Sequence, residues 1–158
     1  MKKMQKNIEM NSSEVNLFKD AISYAQKQYY LDAVNTFKKF IKLYSKSELV
    51  DDAYYNIGLC YFQMSLFNKA IEIYNIVIKE YKDSVINCFD QSEEGKTAAK
   101  CHYSILNCYL ALNMLENAEL EMEKIKKYKD SYVLIKGEKK TFYELALTAI
   151  KNYKSINN

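Results

Sequence analysis

Apolar residues recur at every third or fourth position through most of the chain, the spacing that lines up one face of an α-helix. This period predicts helices near Glu14–Lys27, Tyr30–Tyr44, Glu48–Met64, Phe67–Lys82, Thr97–Leu112 and Leu115–Tyr128. A last helix is expected at about Glu138–Tyr153, with Phe142, Leu145, Ala146, Ala149, Ile150 and Tyr153 on one stripe and Lys and polar residues opposite. Ser47 is a candidate N-cap for the third helix, since its hydroxyl can accept an orphaned backbone N–H. Gly58 breaks the pattern. Glycine inside a helix costs about 1 kcal/mol relative to alanine, so a close approach of another element is expected there.

The periodic blocks repeat as pairs. Three segments end alike, in "LYSKS" (Leu43 to Ser47), "EYKDS" (Glu80 to Ser84) and "KYKDS" (Lys127 to Ser131). Each is preceded by a stretch with a central alanine, Ala33, Ala70 or Ala118, at separations of 37 (70 − 33) and 48 (118 − 70). The longer separation places an insertion of eleven residues (48 − 37) in Ser84 to Thr97, expected to be a bland linker more than a binding loop.

The repeat resembles the tetratricopeptide pattern W-x2-L-G-x2-Y…A-x3-F…P. The middle copy supplies Tyr54, Ile57, Gly58, Tyr61, Ala70 and Tyr74. The first supplies Leu17, Ala21, Tyr24, Ala33 and Phe37, with Asp20 in an aliphatic place. The third supplies Ile105, Leu106, Tyr109, Ala118 and Met122, with His102 in the aromatic place. The resemblance covers about Val15 to Tyr128 and implies an all-α solenoid: three helical hairpins near 14–46, 48–83 and 97–130, and a capping helix near 138–153, about seven helices in a single domain over 13–154. Residues 1–12 are expected to form a flexible tail. Within the repeat, Gly58 is expected to lie against Ala70 where the two helices of a hairpin cross.

Composition narrows the class further. The chain of 158 residues has no Pro, no Trp and three Gly, with 49% hydrophobic residues, which favours one helical domain with short connections. No run of eighteen apolar residues offers a transmembrane segment, and the start, "MKKMQKNIEMNSSE", lacks the apolar core of a secretory signal. A cytoplasmic location is expected for the chain as it stands, periplasmic if a leader has been removed. The net charge is +3 and every strongly basic side chain is Lys, so the forked donors that read phosphate and guanine are missing, and no specific nucleic-acid partner is expected.

Candidate chemistry is sparse. Cys60 and Cys108 each precede a motif tyrosine and read as small buried residues. Cys101 and Cys108 are seven residues apart on one helix, about 10.5 Å, beyond disulfide reach. Cys88, in the insertion, is the cysteine expected to be most exposed. His102 is the single histidine, with no acid–base partner evident, and "EEGKT" at Glu93 to Thr97 lacks the upstream glycine of a phosphate loop. No catalytic constellation, cofactor or metal is therefore expected. A metal or redox protein using Cys88, Cys101 and His102 stands as the alternative from another class.

The resemblance implies a groove lined by the outward face of each first helix: Phe18, Ile22, Tyr55, Leu59, Phe62, Tyr103, Asn107 and Leu110, with Lys100 and Asn107 fixing polar groups. An apolar face this large marks either an interaction site or a surface covered by the last helix or the tail. A carboxylate clamp is disfavoured: Asn56 and Lys100 match that subtype, but Phe18, Ile22 and Ser104 replace its other residues. The function implied is a non-catalytic scaffold that binds a partner peptide or helix, with self-association through the groove left open. The spacing and "Y-x-x-S" ends also resemble domains of bacterial envelope assembly factors and the Tol-Pal coordinator family.

Overall fold

A computed structural model describes residues 12–87 and 91–158; the tail through Asn11 and Cys88 to Asp90 lie outside the described residues. Seven helices are seen among the described residues: α1 Ser12–Gln26, α2 Tyr30–Leu43, α3 Val50–Gln63, α4 Phe67–Glu80, α5 Thr97–Ala111, α6 Leu115–Ile125 and α7 Phe142–Ile156. Each of the first six packs on the next, and α7 closes the stack against α5 and α6. The architecture is all-α, three hairpins piled side by side with a helix over the end.

Each hairpin turns in the same way. Gln28, Ser65 and Asn113 adopt left-handed backbone (φ 65°, 58° and 57°). The following N–H, of Tyr29, Leu66 or Met114, donates to the carbonyl five residues back at 2.9, 2.8 and 2.8 Å. That bond satisfies a carbonyl orphaned at the helix end, so the turn closes without the usual glycine.

The core explains the spacing of the apolar residues. Phe18 of α1 meets Phe37 and Phe40 of α2 edge-on, at ring separations of 5.5 and 5.4 Å. In the middle hairpin the close approach at Gly58 is made by Tyr74 of α4. A Cβ on Gly58 would lie no farther than 2.8 Å from three atoms of that ring. The nearest neighbour is thus the motif aromatic Tyr74, where Ala70 was expected, because the ring needs the space that Gly58 leaves. In the third hairpin the equivalent Leu106 is itself fully buried.

A small antiparallel sheet, absent from the helical reading, decorates the stack. It comprises β1 Glu93–Glu94, β2 Tyr132–Ile135 and β3 Glu138–Thr141, in the order β1-β2-β3. Lys136 and Gly137 form its two-residue turn, both with positive φ, which suits the strand twist. Residues 138–141 are therefore strand, and the last helix begins at Phe142. It is fixed there by a capping box, in which the Thr141 hydroxyl accepts from the Glu144 N–H and the Glu144 carboxylate from the Thr141 N–H. Ser47 also differs in detail: its hydroxyl accepts the Leu49 N–H at 3.1 Å, one turn ahead of the helix proper, and donates to Glu14.

Candidate functional site

Helical spacing builds the site from α3. Tyr55, Leu59 and Phe62 stand at i, i+4 and i+7, on one face. Tyr103, Ser104 and Asn107 of α5 face them, and Tyr74 of α4 reaches the same space past Gly58. Together these seven residues enclose a cavity of about 380 Å³. Leu59 also lines a second cavity of about 350 Å³ toward α1, with Ile22, Ala25, Asn56 and Cys60 and the amides of Gln26, Gln28 and Gln63. The two cavities share Leu59, one lined mainly by aromatics and the other by amides, and among the described residues no charged side chain lines either.

Polar groups in the groove are mostly held by the protein itself. The Ser104 hydroxyl donates to the Tyr55 oxygen at 3.3 Å. The side-chain amides of Asn56 and Asn107 donate to carbonyls one turn back, at 2.8 and 3.0 Å. The Tyr74 hydroxyl is buried without a well-formed hydrogen bond. Burial pushes the Tyr55 hydroxyl above its ordinary pKa.

Of the residues expected on this face, Tyr55, Leu59, Phe62, Tyr103 and Asn107 surround the first cavity and Ile22 the second. Three go elsewhere. Phe18 is buried in the aromatic cluster with Phe37 and Phe40, because α1 turns that side toward α2. Leu110 packs in the cluster closed by α7. Lys100 covers the far side of Tyr55, its ammonium 4.2 Å from the ring centroid, and is ion-paired with Glu93 of β1. Burial opposes its charge, but Tyr55 and Glu93 outweigh that and raise its pKa.

Behind Lys100 lies a polar cluster that local sequence reading did not foresee. Asp51 and Asp52, at the start of α3, are 3% and 5% exposed, and one carboxylate oxygen of each lacks a well-formed hydrogen bond. The Thr97 hydroxyl is near enough to favour ionised Asp51, yet burial dominates and raises that carboxyl. Burial and the neighbouring Asp51 charge push Asp52 up to about 8. The signal was the adjacent "DD" opening an apolar helix, where one acid is normally enough for the helix dipole.

The cysteine and histidine candidates separate. Cys101 is fully buried between α4 and α5, and burial holds its thiol well above the ordinary value. Burial likewise pushes Cys60 up to about 11 and Cys108 up to about 12. His102 points into the third hairpin, where its Nδ1 meets Glu121 of α6, and Lys124 holds the other Glu121 oxygen at 2.7 Å. So the histidine does have a carboxylate partner, nineteen residues along the chain. Both are buried, away from either half of the groove. Among the described residues no group of three or more His, Cys, Asp or Glu could hold a metal ion. Cys88 lies outside them.

Comparison with known proteins agrees with the repeat geometry. Residues 52–84 match the tetratricopeptide repeat family model. That stretch is similar to a tetratricopeptide repeat. The match spans α3, α4 and their turn, the hairpin built around Gly58 and Tyr74. No curated protein matches the chain. Solved structures that share its fold include the following two. The Hsp90 co-chaperone Cns1 from Saccharomyces cerevisiae aligns with TM-score 0.64 and 14% identity, over 90% of this chain and 39% of that one. The type III secretion translocator chaperone SycD from Yersinia enterocolitica, in an alternative dimer, aligns with TM-score 0.58 and 20% identity, over 94% and 98%. This chain thus spans well under half the length of the Cns1 chain. Neither likeness bears on the envelope-factor reading. Among the described residues no helix is long and apolar enough to cross a membrane.

Proposed function

We propose that this tetratricopeptide-repeat chain is a non-catalytic scaffold that holds an uncharged segment of a partner protein along the α1–α3–α5 groove. The observation that carries the reading is the lining. Charged residues make up 27% of the chain, yet among the described residues neither cavity presents one. A groove of this kind favours an apolar anchor between Tyr55, Phe62 and Tyr103, followed by backbone or amide groups beside Gln26 and Gln63. A carboxylate terminus is a poor fit, because Lys100 is occupied by Glu93 and Tyr55. The likeness to a co-chaperone and a chaperone, both named for service to other proteins, supports a protein partner.

The test places a charge at the seam. Leu59→Lys should weaken binding of a captured partner, measured by calorimetry with the purified pair, at least tenfold while helicity stays unchanged. Undiminished affinity would refute the groove. Sedimentation of the chain alone distinguishes self-occupancy: concentration-dependent association removed by Leu59→Lys would make the partner a second copy.

A further inference from the structure

The three segments that end alike in the sequence also end alike in space. In each, the serine N–H donates to the carbonyl of the tyrosine before it, for Ser47, Ser84 and Ser131 at 2.9, 3.0 and 3.1 Å. The carbonyl of the same serine accepts the N–H of the residue that opens the next helix: Val50, Thr97 and Phe142, at 3.3, 3.2 and 3.2 Å. A cleft lies between each end and the next, and the two clefts differ in charge. The cleft between the first and second ends, about 270 Å³, is lined by Glu48, Asp51 and Asp83 and, among the described residues, by no lysine. The cleft between the second and third, about 520 Å³, is lined by Lys82, Lys96, Lys127 and Lys129, with Asp83 and Asp130.

The second cleft has a fixed floor, made by the end of the inserted segment. Gly95 has a φ of 120° and lies so close to Ser131 that a Cβ would sit 2.3 Å from the hydroxyl oxygen, so only glycine fits. The Ser131 hydroxyl accepts the Lys96 N–H at 2.9 Å, and the Lys96 ammonium donates to the Asp83 carbonyl at 2.8 Å. Lys96 is thereby held half-buried where the two ends meet, with two of its three ammonium protons still available. Lys82 and Lys129, which are equivalent in their repeats, are exposed at the mouth. Among the described residues none of the four lysines is ion-paired, and the lining carries a formal excess of two positive charges (4 − 2). No residue of this cleft lines the groove.

We propose that this cleft is a second docking point, which takes an acidic, Asp- or Glu-rich segment of a partner protein. Lys96 is the fixed anchor, and Lys82 and Lys129 close over the flanking carboxylates. The positive charge comes from three stretches of chain and is interrupted by Asp83 and Asp130, so it is spread around the mouth and not gathered at one point. Spaced carboxylates on an extended segment match that distribution better than one compact anion does, and the segment's backbone N–H groups suit the two aspartates.

The experiment titrates the labelled full chain with a synthetic Asp-Gly repeat peptide blocked at both ends, read by amide NMR. The Gly95, Lys96 and Ser131 amides should shift together and saturate. Lys82→Gln/Lys129→Gln should weaken binding about fivefold or more, whereas Lys39→Gln/Lys42→Gln, which removes the same charge from α2, should leave it within about twofold. Equal losses in the two variants, or shifts that spread over lysine-bearing faces without saturating, would overturn the proposal. Inorganic phosphate that saturates the same three amides and displaces the peptide would make this a small-anion site and overturn it too. So would self-association of the chain that Lys82→Gln/Lys129→Gln removes, since a second copy would then fill the cleft. Groove occupancy enters none of these readouts, so the groove reading stands or falls separately.

Discussion

The second and third hairpins solve the same crossing in opposite ways. In the second, Gly58 on the first helix makes room for Tyr74 on the other, whose side chain is completely buried. In the third, Leu106 fills the gap from the first helix, and the opposing Met122 is only half-buried. The large side chain has changed sides, so the repeat fixes a total volume across the crossing and not a residue at each place. Their buried acids differ too. Asp52 of the second hairpin has only the influence of Lys100, which is paired with Glu93, among the described residues, whereas Glu121 of the third is bonded by both His102 and Lys124.

The largest effect should come from emptying the third crossing. Leu106→Ala leaves a cavity that Met122 cannot fill and should cost about 2–5 kcal/mol in chemical denaturation. A loss under 1 kcal/mol would show that the crossing is not where the third hairpin is held. Gly58→Leu should cost roughly 1–3 kcal/mol by overpacking against Tyr74. The sharper test transplants the third hairpin's solution: Gly58→Leu with Tyr74→Met should recover much of that loss, measured as a double-mutant cycle. Strictly additive penalties would break the volume-exchange account.

The two acids should give opposite pH responses. Asp52 has a raised folded pKa, so its contribution is full below the unfolded value of 3.8 and is lost as pH rises through about 8. The slope there is on the order of 1 kcal/mol per pH unit. Burial opposes the charge on Glu121, but its bonds to His102 and Lys124 prevail and lower its pKa, so its contribution is present above 4.5 and is lost as pH falls through the folded value. Thermal midpoints should therefore peak in mildly acidic buffer. Asp52→Asn should flatten the alkaline side and Glu121→Gln the acid side; a swapped assignment would be decisive against this pairing. The smallest effect belongs to the turns. Ser65→Gly relieves a left-handed serine and should stabilise by up to about 1 kcal/mol, with the same gain expected from Gln28→Gly in the first hairpin.

The helices and the phase of the repeat were legible because both are local: apolar spacing sets the buried face, and Tyr54, Gly58, Ala70 and Tyr74 keep the motif order. What escaped was non-local or short. The helical stripe starting at Phe142 drew residues 138–141 into the helix, although Lys136–Gly137 between "YVLI" and "EKKT" is a hairpin signal. Phe18 shares the helical phase of Ile22, so spacing alone could not tell core from groove. Glu121 meets His102, and Lys100 meets Glu93 and Tyr55, only after the stack has formed.

The neutral lining of the groove also sets how a guest would arrive. With no fixed charge among its described lining residues to draw it in, encounter relies on unsteered diffusion and slow orientational search, about 10⁵–10⁶ per molar per second. Ionic strength should then scarcely alter the association rate, and the lifetime of the bound pair would be governed by how quickly the aromatic end lets go.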